Sequence, residues 1–224
     1  MKNIFLGALV PFLSAAIAVA QTSCTADVNQ DSVVNLQDLL SMLVFYGDSC
    51  LEEATVFPTL IVSEIHYNPN SSQGNDSDWE FLELYNPNAF SVSLDGWKLT
   101  DAVSLVFAST DSIGAEAFFV VARNADTLAV SVPGHTPIVQ WNSGGSLNNT
   151  GETVTLVDPM DETVVAVAYE DNDGWITEPD GDGPSLELMD YNLPNEEAAS
   201  WAASFVLGGT PGAINSMWGL SEVE

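Results

Sequence analysis

Between Asp27 and Asp38 the chain reads Asp27-Val-Asn29-Gln-Asp31-Ser32-Val33-Val-Asn35-Leu-Gln-Asp38, with side-chain oxygens at positions 1, 3, 5, 9 and 12 of a twelve-residue loop. That register wraps a chain around a hard cation, with the carbonyl of Val33 donated at position 7. Three carboxylates and two amides offer only oxygen, so the expected ion is calcium (Ca2+); zinc would look for thiolate or imidazole. The expected ligands are therefore Asp27, Asn29, Asp31, Val33, Asn35 and Asp38. The competing reading of the same residues is an acidic turn followed by an ordinary amphipathic helix.

Cys24 and Cys50 are the only cysteines, and they bracket this segment. A unit of about 27 residues falls below the ~40 under which chains usually need a disulfide or a metal. A Cys24–Cys50 disulfide is therefore expected, contributing on the order of 3 kcal/mol through the unfolded chain. Reactive thiols are the alternative, but neither cysteine has a His or Lys nearby in sequence to favour its thiolate. His66 and His135 are the only histidines. Neither accompanies a nucleophile motif, and a lone histidine is more often structural or solvated. Glu80 and Glu83 offer acid-base chemistry in principle, yet three apart in a strand they face opposite sides. No catalytic residue is assigned, and a non-enzymatic protein is expected. A second acidic group, Asp171-Asn-Asp173-Gly174-Trp175 with Asp180-Gly-Asp182-Gly183, has glycines that permit tight turns. It is either a weaker calcium site or, lacking the loop register, a solvated acidic turn.

At the N-terminus Lys2 precedes an apolar stretch from Ile4 to Ala20 that closes on Ala18-Val19-Ala20. That is the order of a secretory signal peptide, and Pro11 and Ser14 interrupt it too early for a membrane anchor. Residues 1–20 are set aside from the fold, and a secreted or cell-surface location, where cysteines oxidise, is expected. A lipid anchor on Cys24 is the alternative, though Gln21-Thr22-Ser23 lacks the aliphatic residue such sites place three before the cysteine. The formal net charge is −29, and beyond Lys2 only Lys98 and Arg123 are fixed cations. Such a surface repels nucleic acid and anionic membranes. It suits divalent cations or a salty medium, where charges are screened beyond ~8 Å. A hydrophobic content of 46% argues against disorder.

The elements that hold these groups follow from periodicity. Leu36, Leu39, Leu40 and Leu43 recur at helical spacing, with Gly47 placed as a C-terminal cap and Asp38 in the first turn. Residues 52–57 read as an acidic linker, after which the period changes. Ile61, Ser63, Ile65 and Tyr67 point one way and Val62, Glu64 and His66 the other. Further strand-like runs stand at 79–85, 96–99, 117–122, 139–141, 154–157, 164–169 and 185–188, separated by turns such as Asn86-Pro87, Asp95-Gly96 and Pro133-Gly134. Short strands without helical pattern between them mean antiparallel sheets packed as a sandwich or barrel. Trp79, Phe81, Tyr85, Trp97, Phe118, Phe119, Trp141 and Trp175 would fill the space between sheets. Trp141 and Trp175 lie beside loops and are the two candidates for exposed contacts.

Two resemblances follow. Residues 27–40, through Asp27-Val-Asn-Gln-Asp-Ser-Val-Val-Asn-Leu-Gln-Asp38-Leu-Leu, resemble one dockerin repeat, which implies calcium at the positions already named. Ser32 departs from the glycine usual at position 6, where a left-handed backbone is wanted, so affinity should fall. A dockerin has two repeats and the sequence shows one, which places cohesin recognition in doubt. Over 58–215 the ordered motifs Ile61-Val-Ser-Glu-Ile-His-Tyr-Asn-Pro69, Trp79-Glu-Phe-Leu-Glu-Leu-Tyr-Asn-Pro87, Leu94-Asp-Gly-Trp-Lys-Leu-Thr-Asp101, Ala117-Phe-Phe-Val-Val-Ala122, Gly183-Pro-Ser-Leu-Glu-Leu188 and Gly208-Gly-Thr-Pro-Gly212 resemble the lamin-tail domain. Between the fourth and fifth runs, Ser146-Leu-Asn-Asn-Thr-Gly-Glu-Thr-Val-Thr-Leu-Val-Asp-Pro159 carries the same resemblance.

The lamin-tail resemblance implies a mainly β, immunoglobulin-like antiparallel β-sandwich and, as in secreted bacterial members, an accessory module without chemistry of its own. The expected organisation is a signal peptide (1–20), a disulfide-stapled calcium loop-helix unit (21–51), a linker (52–57), the lamin-tail-like domain (58–215) and a tail (216–224). The expected function is non-catalytic binding or attachment, the partner being a protein or glycan at the cell surface. An assembly part docking through the calcium unit and a hydrolase-associated accessory protein are the alternatives.

Overall fold

The structure is a computed structural model describing residues 27–29, 31–43, 58–142 and 145–219. These fall in two compact units, one within 1–55 and one within 56–224. The signal peptide, Gly47, the linker 52–57 and the expected Cys24–Cys50 disulfide lie outside the described residues.

In the first unit a wound loop leads into helix α1 (Leu36–Leu43). Asn35 Oδ1 accepts from Gln37 N at 2.6 Å, satisfying one of the orphan donors at the helix start. Leu36, Leu39, Leu40 and Leu43 are each at least 50% exposed.

The second unit is built on two facing sheets. Its six-stranded sheet runs in the order β12 (Trp201–Leu207), β11 (Pro184–Leu188), β1 (Ile61–His66), β2 (Phe81–Tyr85), β7 (Phe118–Ala122) and β8 (Ile138–Gln140). The four-stranded sheet is β10 (Thr163–Glu170), β9 (Gly151–Val157), β4 (Lys98–Asp101) and β5 (Leu105–Val106). A small ribbon pairs β3 (Val92–Ser93) with β6 (Ser112–Ile113). Ile65, Leu82, Leu84, Phe119, Val121 and Leu186 from the first sheet meet Leu99, Val154, Leu156, Val167 and Tyr169 from the second in one buried cluster. Mainly β, with several antiparallel sheets around a shared core, the unit is consistent with an immunoglobulin-like sandwich.

The outer face of the six-stranded sheet is covered too. Phe81, Val120 and Ala122 pack there against Leu128 and Val132, carried by helix α3 (Ala125–Leu128) and the turn after it. Strands β1 and β7 are consequently buried at every position. That double burial breaks the alternation read from the sequence. A bulge between Val62 and Glu64 admits an extra residue, so Val62 joins Ile61 and Ile65 in the core.

Other expectations need correcting. The run at 79–85 divides into a one-turn helix α2 (Asp76–Trp79) and β2. Strands β7 and β8 pair in parallel, because the chain crosses over through α3 between them and parallel neighbours need such a crossover. β3, β5 and β6 have two residues each, too few to show a period, and β12 ends on the exposed Phe205, Val206 and Leu207. Trp141 is not a surface contact: it is 3% exposed, with its Nε1 donating to Gly145 O at 3.2 Å. Trp175 packs onto the core beside Trp201, ring centroids 6.2 Å apart. Beyond 215 the chain still packs, with the Trp218 ring tilted against Tyr191, centroids 3.8 Å apart.

Candidate functional site: the wound loop, a buried glutamate row and the groove beside it

The loop at Asp27 is wound by its own side chains. Asp27 accepts from the amides of Asp31 (3.1 Å) and Ser32 (2.8 Å), Asn29 Oδ1 from Asp31 N (3.1 Å), and Asp31 Oδ1 from Val33 N (2.9 Å). Asn35 Nδ2 donates to Val33 O at 3.2 Å. Asp38 lies 2% exposed and accepts from Asn35 N at 2.7 Å and Val28 N at 2.9 Å. The amides of Asn35, Asn29 and Val28 hold its carboxyl below the usual carboxylate range. Ser32 has φ +70°, the left-handed conformation that glycine adopts freely and serine at some cost. The oxygen-only donor set suits calcium. Even so, no group of three or more His, Cys, Asp or Glu side chains is placed to hold a metal among the described residues.

Less expected is what the strand order β11-β1-β2 does with three glutamates. Glu64 stands directly across from Glu83 on β2 and from Glu187 on β11, and all three are fully buried. Residues 208–217, following β12, form a strap over them. Thr210 N donates to Glu64 Oε1 at 2.9 Å, Gly212 N to Glu83 Oε2 at 2.5 Å, and Met217 N to Glu187 Oε2 at 3.0 Å. Hydroxyls complete the set. Ser185 bonds Glu64 Oε1, Ser63 donates to Glu83 Oε1 at 2.7 Å, Thr210 to Glu187 Oε1 at 2.9 Å and Ser216 to Glu187 Oε2 at 2.8 Å. Burial, and then the charge of Glu187, push Glu64 up to about 8. Burial and the charge of Glu64 also raise Glu83.

The pair singled out from the sequence separates, but not as two faces of one strand: Glu80 caps α2 and stands before β2 begins. Glu83 joins the row, whereas Glu80, 2% exposed, accepts from Leu147 N at 2.8 Å and from Arg123 at 3.1 Å on another side. Burial raises Glu80 to about 7 despite both partners. His66 is buried against Phe81, ring centroids 5.7 Å apart, and burial lowers it to about 4. His135 instead lines a groove of about 780 Å³ with Asp111, Glu116, Phe118, Gly212 and Ile214. Within the acidic turns, Asn68 Nδ2 donates to Asp180 Oδ1 at 2.6 Å, which ties one carboxylate to the strand-end segment. Sequence reasoning passed over Glu64 and Glu187. Their signal was a carboxylate between apolar residues in a strand-like run: Ser-Glu64-Ile, and Leu-Glu-Leu at both 82–84 and 186–188.

Sheets packed around one core are consistent with an immunoglobulin-like β domain. The sequence matches the Lamin Tail Domain family over residues 53–171, more than half of the chain, and the chain belongs to that family. Glu64 and Glu83 lie within the match; Glu187 and the strap lie beyond it. No curated protein matches the chain. Among the described residues no helix is long and apolar enough to cross a membrane.

Proposed function

We propose that this is a secreted or cell-surface binding module without catalytic activity, its lamin-tail domain gripping a protein or glycan. The groove beside β7 supports this reading. Its walls come from the 110–117 turn, the 133–137 turn and the strap, and its lining mixes Phe118 and Ile214 with Asp111, Glu116 and His135. Apolar anchors ringed by polar groups suit recognition of a surface. The chain with residues 1–20 removed should bind isolated cell-envelope fractions in calcium and in chelator alike. Ile214→Asp, at a position 63% exposed, should weaken that binding about tenfold, the loss of one anchor of ~1.4 kcal/mol. Binding abolished by chelator and indifferent to Ile214→Asp would favour the alternative, docking through the N-terminal unit. Turnover of a glycan, peptide or ester that a point mutation abolishes would overturn the non-catalytic reading.

The N-terminal loop binds calcium in this reading, supported by its register and oxygen-only donors, with the Cys24–Cys50 disulfide bracketing it. Binding would draw Asp27, Asp31 and Asp38 together around the ion. With Ser32 in the left-handed position the affinity should lie at the weak end, ~10⁻⁵–10⁻³ M. Titration calorimetry should show one site that Asp27→Ala removes. The same isotherm in that variant would move the ion to the acidic turns near Asp173.

A further inference from the structure

We infer that residues 208–217 are a proton-latched strap, closed over Glu64, Glu83 and Glu187 while Glu64 and Glu83 hold protons and lifting as those two give them up. Three carboxyls stand side by side on adjacent strands with no access to solvent. Opposed positions place Cβ atoms roughly 4.5–5.5 Å apart, and like charges there destabilise a sheet. No cation relieves them among the described residues: Lys98 is paired with Asp161 and Arg123 with Glu80. The other titratable groups toward this face are His66 two residues along β1, Tyr85 two residues along β2, Tyr191 after β11, and His135 on the groove lined by Gly212. Burial lowers His66 and raises Tyr85 and Tyr191, so none of the three supplies a compensating charge. β7, β11, β12 and the strap add no further titratable side chain.

The strap is a cover that depends on the row. Three of its amides and two of its hydroxyls end on these carboxyls, and its Ser216 Oγ also accepts from Phe205 N on the edge strand at 2.8 Å. Once the strap lifts, Glu64 and Glu83 regain water and titrate near the ordinary 4.5, against about 8 for Glu64 when covered. A folded value above the open one means that closure is fully favoured below about 4.5 and weakens as pH climbs to about 8.

The latch does not depend on what the groove binds, and it is tested by amide hydrogen exchange on the whole chain at pH 6 and pH 8, corrected for intrinsic rates. Protection of 208–217 should fall at least ~10-fold across that interval, the response to one linked proton, while β9 amides hold constant. Glu64→Gln keeps an acceptor for Thr210 N and fixes its protons in place; its strap should stay protected at pH 8. Glu83→Gln, an independent substitution in the row, should flatten the profile in the same sense. Equal wild-type protection at the two pH values would overturn the latch, and so would a fall shared equally by β9 or an undiminished pH dependence in both variants. The wild-type profile decides the matter if neither variant folds.

Discussion

Trp97→Ala is expected to cost the lamin-tail domain about 3–5 kcal/mol, the range for a large aromatic lost from a core that only partly collapses. Trp97 is 1% exposed and belongs to the cluster shared by the two sheets. Its backbone amide donates to Leu94 O at 3.0 Å and its carbonyl accepts from Phe107 N at 3.1 Å, so the backbone keeps its place and the space left by the indole stays largely empty. Against a total of roughly 5–15 kcal/mol for a domain, that loss leaves the fold marginal. Denaturant unfolding measures it as a lowered midpoint at unchanged slope. Phe205→Ala is the control: a side chain 72% exposed should change stability by less than ~0.5 kcal/mol. Equal effects from the two substitutions would mean that the core is not where the sheets place it.

Gly209→Ala should be nearly as damaging although it deletes nothing. Gly209 has φ +76°, and a Cβ there would overlap Glu64 Oε1 and come within 2.6 Å of Ser185 Oγ. The left-handed backbone alone costs an alanine ~1–2 kcal/mol. Displacing the Glu64 carboxyl strips the acceptor from the buried Ser185 hydroxyl at ~1–3 kcal/mol, and from the half-buried Thr210 N, which water can satisfy. A total of ~2–5 kcal/mol is expected, together with lost protection of the 208–217 amides. Restoration of stability by a second substitution, Glu64→Ala, would place the clash at that carboxyl. A single variant as stable as the wild type would remove the strap from its position over β1.

Part of the strand inventory was legible because burial on one face imposes a period of two, as where buried Val167 and Tyr169 alternate with exposed Ala168 and Glu170. β3, β5 and β6 were not, since two residues carry no period. The helix at Leu36–Leu43 was legible from its leucine spacing, and the left-handed conformation at Ser32 from the glycine that the resembled repeat has there. The α2 turn and the parallel β7–β8 pair were missed for different reasons. Asp76–Trp79 is one turn with no amphipathic stripe, and strand direction depends on a crossover that leaves no mark in the strands themselves.

The candidate site divides in the same way. By itself the sequence determined the oxygen register from Asp27 to Asp38, the acidic charge and the ordered lamin-tail motifs, all of which depend on neighbours close along the chain. Only the tertiary structure brought Glu64, Glu83 and Glu187 into a row and laid the strap across them. Glu187 lies more than a hundred positions from Glu83, and each glutamate alone reads as one polar residue inside an apolar strand. Their adjacency rests on the strand order β11-β1-β2, a non-local choice set by which faces the whole sheet buries. Tertiary packing likewise decided that Trp141 lies under its loop, because a tryptophan beside a turn has the same local sequence whether the loop folds over it or away.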